Sequence, residues 1–314
     1  MLHLNHSSSH ESLEWLMQFL HFIRLHQMVY QLTLVTIILF FSPSATLFQI
    51  FSAFVMIVLI TPSFLLMQDI LGKKDDEKFG QKRILFSDRV NKIFFFSSIT
   101  FMVVLLFLNN LISLLWYIML FVSTLSYAAT KHFHKMFLTY SFRFLSSIFT
   151  FLLYLYIIVG GLFEQFLFLL SFISVLDLVG NMAGDIRDGQ KDTVAGVKTL
   201  LTTSGRAYTL EIMDFLVICI FGLLTIKYKS IVFILLLVVN ISPFLLIDQL
   251  SIRLSHAIFH LLKLINFLFV ALALASIDIL FFFAILSFIV LAWLFSYYFY
   301  LFNSTHRIHE SNIS

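Results

Sequence analysis

Cysteine is all but absent: Cys219 alone, inside an apolar segment of a 314-residue chain, leaves no disulfide framework and no cysteine-based metal site. Charge is scarce as well. Charged side chains make up 12% of the residues, half of the roughly 25% typical of soluble domains. Proline and glycine number only 3 and 10, so few breaks interrupt the segments between loops. Residues 1–25 lack the basic stretch and small-residue cleavage site of a signal peptide. They read as a polar or amphipathic tail, with His3, His6 and His10 solvated among serines. The net charge of +3 says little by itself, and no nucleic-acid partner is expected.

The chain is rich in apolar residues instead. They make up 60% of it, with a mean hydropathy of +0.98, which describes a polytopic α-helical membrane protein. Its 40 phenylalanines need no special role, since Phe suits both lipid-facing surfaces and helix packing. Apolar spans fall near 26–42, 47–67, 93–109, 111–129, 137–159, 163–182, 208–226 and 230–248. Beyond them, Arg253, His256, His260 and Lys263 step by 3, 4 and 3. That spacing makes one polar stripe, on an interfacial helix or at the start of a tilted span. Leu264–Phe302 is too long for a single crossing of about 30 Å, so a ninth span follows the stripe and a tenth follows Asp278. Asp248 and Asp278 read as span ends. The fold class expected is an all-α bundle of nine or ten transmembrane helices around a central cavity. It forms one domain over 26–302, with a second polar tail at 303–314.

The basic residues orient this bundle. Lys73, Lys74, Lys78, Lys82, Arg83, Arg89 and Lys92 follow span two, Lys131 and Lys135 span four, and Arg187, Lys191, Lys198 and Arg206 span six. The connections near 43–46, 109–111 and 160–162 hold no Lys or Arg. Under the positive-inside rule the even loops and the N-terminus are cytoplasmic, in the cell or inner membrane if the chain is bacterial.

One cytoplasmic stretch, Asp185-Ile-Arg-Asp188-Gly-Gln-Lys-Asp192, places three carboxylates at i, i+3 and i+7 just past span six. That spacing puts them on one helical face. Each acid near the membrane costs roughly 2.5–3.5 kcal/mol at a helix centre, so three together require compensation. Mg²⁺ provides it, since it takes carboxylate oxygens and commonly phosphate oxygens as further ligands. A metal–diphosphate site at a membrane surface is therefore expected. Asp69-Ile70, Asp76, Gly80 and Lys82 align without gaps to Asp185-Ile186, Asp192, Gly196 and Lys198, at an offset of 116 residues throughout. A motif used twice, each time after an even-numbered span, suggests two pseudo-repeated halves facing one cavity.

These residues resemble the UbiA superfamily of intramembrane prenyltransferases over most of the chain. Asp188 and Asp192 match that family's second aspartate motif, with Asp185 as the additional upstream acid. Gly196-Val-Lys198-Thr199-Leu200 resembles the Gly-x-x-Thr-Leu that follows it, without the usual proline. The first motif departs further. Gln68 stands in place of Asn and Gly72 in place of the central Asp; Asp76 matches and Asp69 corresponds to a common neighbouring acid. Tyr127 and Lys135 resemble a Tyr…Lys segment at the head of the fifth helix. The resemblance implies a bundle of about nine helices and transfer of a prenyl group from an isoprenyl diphosphate to a lipophilic aromatic or alcohol acceptor. Diphosphate is released, as in lipid-quinone or related isoprenoid-lipid biosynthesis. It implies Mg²⁺ held by Gln68, Asp69, Asp76, Asp185, Asp188 and Asp192, of which Asp69, Asp76, Asp188 and Asp192 are the catalytic acids. Lys82, Arg83, Lys135, Arg143 and Lys198 are the expected diphosphate-binding cations, and membrane lipids surround the whole. Asp177 and Asn181 extend the polar face of span six, while His132 and His134 read as interfacial. Two rival readings remain: a catalytically degenerate homologue, for which Gly72 speaks, and a small-solute transporter built from repeated halves.

Overall fold

The computed structural model describes residues 25–42, 44–78, 88–132, 135–162, 164–229, 233–239, 252–274 and 278–305. Nine long helices run through them: α1 (Leu25–Phe40), α2 (Leu47–Lys78), α3 (Asp88–Asn109), α4 (Leu111–His132), α5 (Met136–Ile158), α6 (Glu164–Ala195), α7 (Leu200–Tyr228), α8 (Ile252–Leu274) and α9 (Ile279–Thr305). There are no strands among the described residues. Eight of these helices are long and apolar enough to cross a membrane, and α1 contributes the shorter apolar stretch Gln27–Phe40. This is an integral, multi-pass membrane protein. The expected span at 230–248 is helical over 233–239, and the rest of it lies outside the described residues. Both helices expected after Arg253 are present. Asp278 starts the second of them, its side chain accepting from the Phe281 N–H at 2.9 Å.

The repeat is written into the helix boundaries. A shift of 117 residues carries both ends of α2 onto those of α6, and each helix is 32 residues long. A shift of 116 carries both ends of α5 onto those of α8. Helices of 32 residues are about 48 Å long and outrun a 30 Å hydrocarbon core. Both acidic motifs therefore ride on helical extensions of a span and not on loops.

Burial identifies the centre of the bundle. In α6, 67% of the Phe166–Gln190 window is inside the protein, against 22% for Ile279–Tyr297 in α9. Helix α6 packs on α5, α7 and α8 and touches α2, whereas α9 rests on α1 and α8. Phe172 of α6 makes edge contacts with Phe221 of α7 and Phe267 of α8, at ring-centre distances of 5.4 and 6.0 Å. Other phenylalanines, including Phe96, Phe107, Phe137 and Phe215, are exposed on the flanks. The two groups are the packing and lipid-facing roles expected of this residue. Between α4 and α5 the contact includes stacked aromatics, Trp116 on Phe149, and hydroxyls: Ser146 Oγ donates to Ser123 Oγ at 3.1 Å. Small side chains let helix backbones approach closely in a membrane, where no hydrophobic force draws them together.

Candidate functional site

The acidic face of α6 meets α4 and α5 in a small polar cavity. Tyr127, Lys131, Thr139, Tyr140, Arg143, Asn181, Asp185, Lys198 and Thr199 line it. Asp185 is among them, and two of the three acids converge on Lys131. Lys131 Nζ stands 3.8 Å from Asp185 Oδ1 and 3.7 Å from Asp192 Oδ2, and the Asp192 side chain is only 4% exposed. The third, Asp188, turns aside to its neighbour Arg187, which grips it in two parallel bonds of 2.8 and 2.7 Å. Such a fork is the strong form of a charge-assisted pair.

A tyrosine that the sequence pattern did not single out ties the site together. Tyr140 donates its hydroxyl to Asp185 Oδ2 at 2.6 Å and accepts the Leu200 N–H, at the start of α7, at 3.1 Å. The carboxylate is thereby joined through one phenol to a helix N-terminus, whose partial positive charge favours an anion. Tyr140→Phe removes both bonds. It is expected to destabilise the protein by about 1–3 kcal/mol, because a buried acceptor and a buried donor both lose a partner. Thermal unfolding in detergent checks this.

The Gly-x-x-Thr-Leu stretch has a mechanical origin. Gly196, at φ +74°, closes α6: the Val197 N–H reaches Asp192 O at 2.8 Å and the Gly196 N–H reaches Thr193 O at 3.1 Å. This is a Schellman ending, which wants glycine for its left-handed residue. Three residues later Thr199 caps α7 through a reciprocal box with Thr202. The pair of signals turns the chain within four residues and fixes Lys198 and Thr199 at the cavity wall. Gly196→Ala is expected to lose about 1–2 kcal/mol from the left-handed conformation alone, and Thr199→Ala about 1 kcal/mol from the lost cap. Thermal unfolding again reads both, and the two losses should add if the signals act independently.

The remaining expected residues fall as follows. Lys198 and Arg143 line the cavity, as does Tyr127, whose ring centre lies 5.5 Å from the Arg143 guanidinium. Lys135 is exposed as the N-cap of α5, and the lysine between the acids is Lys131, four residues earlier. Gln68, Asp69, Gly72 and Asp76 belong to the C-terminal part of α2, with their side chains outside the described residues. Lys82 and Arg83 lie outside the described residues, as do Gly80, His134 and Asp248.

From His256 to Lys263 the polar stripe of α8 points into the bundle and not toward an interface. Lys263 is 3% exposed, and its Nζ donates to Asp177 Oδ1 of α6 at 2.9 Å. His256 and His260 follow on the same face, with Nε2 atoms 3.1 Å apart. Helix α6 accommodates them with Gly180 and Gly184: a Cβ on Gly180 would come within 3.2 Å of the Phe259 ring.

Among the described residues no three His, Cys, Asp or Glu side chains gather into a metal cluster. The donor set nonetheless suits a hard cation, because the Lys131 ammonium is straddled by oxygens of two carboxylates that could take a divalent ion.

Two solved structures share this architecture. One is a UbiA homologue from Archaeoglobus fulgidus bound to GPP and Mg²⁺, with a TM-score of 0.58 at 15% identity. The other is a UbiA homologue from the same organism bound to DMAPP and Mg²⁺, with a TM-score of 0.57 at 13% identity. Each likeness covers 82% of this chain and 99% of the other. The chain has the UbiA fold. No protein-family model matches it, and no curated protein matches its sequence. At such identities the likeness carries the architecture alone; in this chain α2 and α6, which bear the two acidic motifs, touch.

Proposed function

We propose that this protein is a Mg²⁺-dependent prenyltransferase, moving an isoprenyl group from its diphosphate to a lipophilic aromatic or alcohol acceptor. The observation that carries the proposal is the convergence of Asp185 and Asp192 on Lys131, beside a cavity lined by Lys131, Asp185, Lys198 and Arg143. The fold of a homologue bound to GPP, DMAPP and Mg²⁺ supports it.

Asp185, Asp188 and Asp192 would hold Mg²⁺ from α6, with Gln68, Asp69 and Asp76 contributing from α2. Bound there, the metal supplies Lewis-acid stabilisation of negative charge on phosphate oxygens. Lys131, Lys198 and Arg143 bind the diphosphate, and Lys135, Lys82 and Arg83 draw it to the site from the cytoplasmic side. As the C–O bond breaks, its electron pair leaves with the diphosphate, and Lys131, Lys198 and Arg143, already in place at the cavity, stabilise that charge. The allylic cation is captured by an electron-rich carbon or oxygen of the acceptor, which then gives up a proton. Exclusion of water would protect that cation until it is captured. Tyr140 holds Asp185 in place throughout.

One observation favours a second reading. Gly72 removes an acid from the first motif, and a homologue that binds isoprenyl diphosphate without turning it over would tolerate that loss. Calorimetric titration of geranyl diphosphate into the purified protein, with Mg²⁺ or with EDTA, tests the site shared by both. Binding that requires Mg²⁺ is expected, and binding indifferent to EDTA would remove the metal from the proposal.

A further inference from the structure

Beneath the acids lies a second charged group, of which the proposed reaction uses only Arg143 directly. One carboxylate, Asp177 on α6, faces two cations from two other helices, Lys263 on α8 and Arg143 on α5. The two are held unequally. Lys263 is hydrogen-bonded at 2.9 Å, whereas Arg143 Nη2 stands 3.9 Å from the other oxygen, beyond hydrogen-bond reach. Their exposures differ as well, with the Lys263 side chain 3% exposed and that of Arg143 30%. Only the arginine reaches the cavity, and its Nε finds no hydrogen-bond partner among the described residues.

We infer that Lys263 is a positioning residue for anion binding: by engaging Asp177, it leaves the charge and donors of Arg143 to the cavity. The inference rests on the reading of that cavity as a diphosphate site. Its physical basis is competition for one carboxylate. Arginine and carboxylate favour a two-bonded fork, and an acid in a bundle core does not stay unpaired. Without the lysine, Asp177 has Arg143 within an ångström or so of such a fork. Closing it would draw the guanidinium away from the cavity and neutralise it.

Three details hold the lysine to its task. Its Nζ lies 4.5 Å from the centre of the Tyr30 ring, whose face favours a cation. A Cβ on Gly180 would stand 3.4 Å from that same Nζ and 3.2 Å from the Phe259 ring, so the glycine lets α8 pack closely beside Asp177. Asn181, one residue further on, donates its Nδ2 to the Asp177 carbonyl at 2.7 Å, fixing the helix turn that presents the acid.

The test is a mutant cycle read as the affinity for inorganic diphosphate with Mg²⁺, by calorimetry on the whole purified protein, with thermal unfolding as a folding control. Arg143→Met is expected to weaken binding by about 10- to 100-fold, the worth of one charge-assisted bond. Lys263→Met is expected to weaken it comparably, and to add nothing when Arg143 is already Met. The double variant Asp177→Asn/Lys263→Met, which removes the competitor along with the lysine, is expected to bind within about threefold of the parent. A folded Lys263→Met that binds like the parent would overturn the role given to Lys263; the double variant tests whether that role runs through Asp177. An affinity of the folded double variant no better than that of Arg143→Met would overturn the role given to Lys263. If Arg143→Met itself binds like the parent, the fault lies one level up, in assigning diphosphate to this cavity.

Discussion

Asp192→Ala is expected to lower turnover by about 100- to 1000-fold, the usual cost of deleting one group that stabilises transition-state charge. Asp192 is the most enclosed of the three acids on α6, with its side chain 4% exposed and facing Lys131 at 3.7 Å. Asp188 differs, since 37% of its side chain is exposed and Arg187 already holds both its oxygens. The same substitution at Asp188 should therefore cost less in affinity for Mg²⁺ than at Asp192. Single-turnover rates with a prenyl diphosphate, alongside Mg²⁺ titrations of each variant, check both statements. Equal losses at the two positions would mean that Arg187 releases Asp188 when the metal arrives.

Asp177→Ala is expected to destabilise the protein by about 3–5 kcal/mol, because breaking a buried ion pair from one side strands the other charge. Here the stranded group is Lys263, 3% exposed and hydrogen-bonded to Asp177 at 2.9 Å. Removing both charges together, as Asp177→Ala/Lys263→Met, should recover most of the loss, since a buried pair is often replaceable by apolar groups at little net cost. Chemical or thermal unfolding in detergent gives the comparison. A single variant within about 1 kcal/mol of the parent would show that water or lipid headgroups reach the lysine.

How far the sequence could lead depended on the range of each interaction. Helix number and length rest on runs of apolar residues, a local property, so both helices after Arg253 were foreseeable from the length of 264–302. The acidic face was equally local, since i, i+3 and i+7 define one side of α6 whatever surrounds it. The repeat was visible as a gapless offset of 116, and it reappears in the bounds of α5 and α8.

Side-chain partners were another matter. Tyr140 and Asp185 are 45 residues apart, and Lys263 and Asp177 are 86 apart; nothing in either local pattern joins them. The stripe at 253–263 was legible as polar, but its direction was not. A lysine among apolar residues fits an interface as well as a core until its carboxylate is located. Lys131 was passed over for a similar reason. A resemblance pointed to the residue that turns out to cap α5, whereas the acids face the last turn of α4. One signal could have found Tyr140: it lies three residues before Arg143, on the same face of α5 as the cavity-lining arginine.

The most direct measurement is diphosphate release by the purified protein from a panel of isoprenyl diphosphates and aromatic or alcohol acceptors, with Mg²⁺ or with EDTA, and with Asp192→Ala alongside. Release that requires Mg²⁺, an acceptor and Asp192 is predicted. A well-folded protein that neither releases diphosphate nor binds it with Mg²⁺ would contradict the prenyltransferase reading.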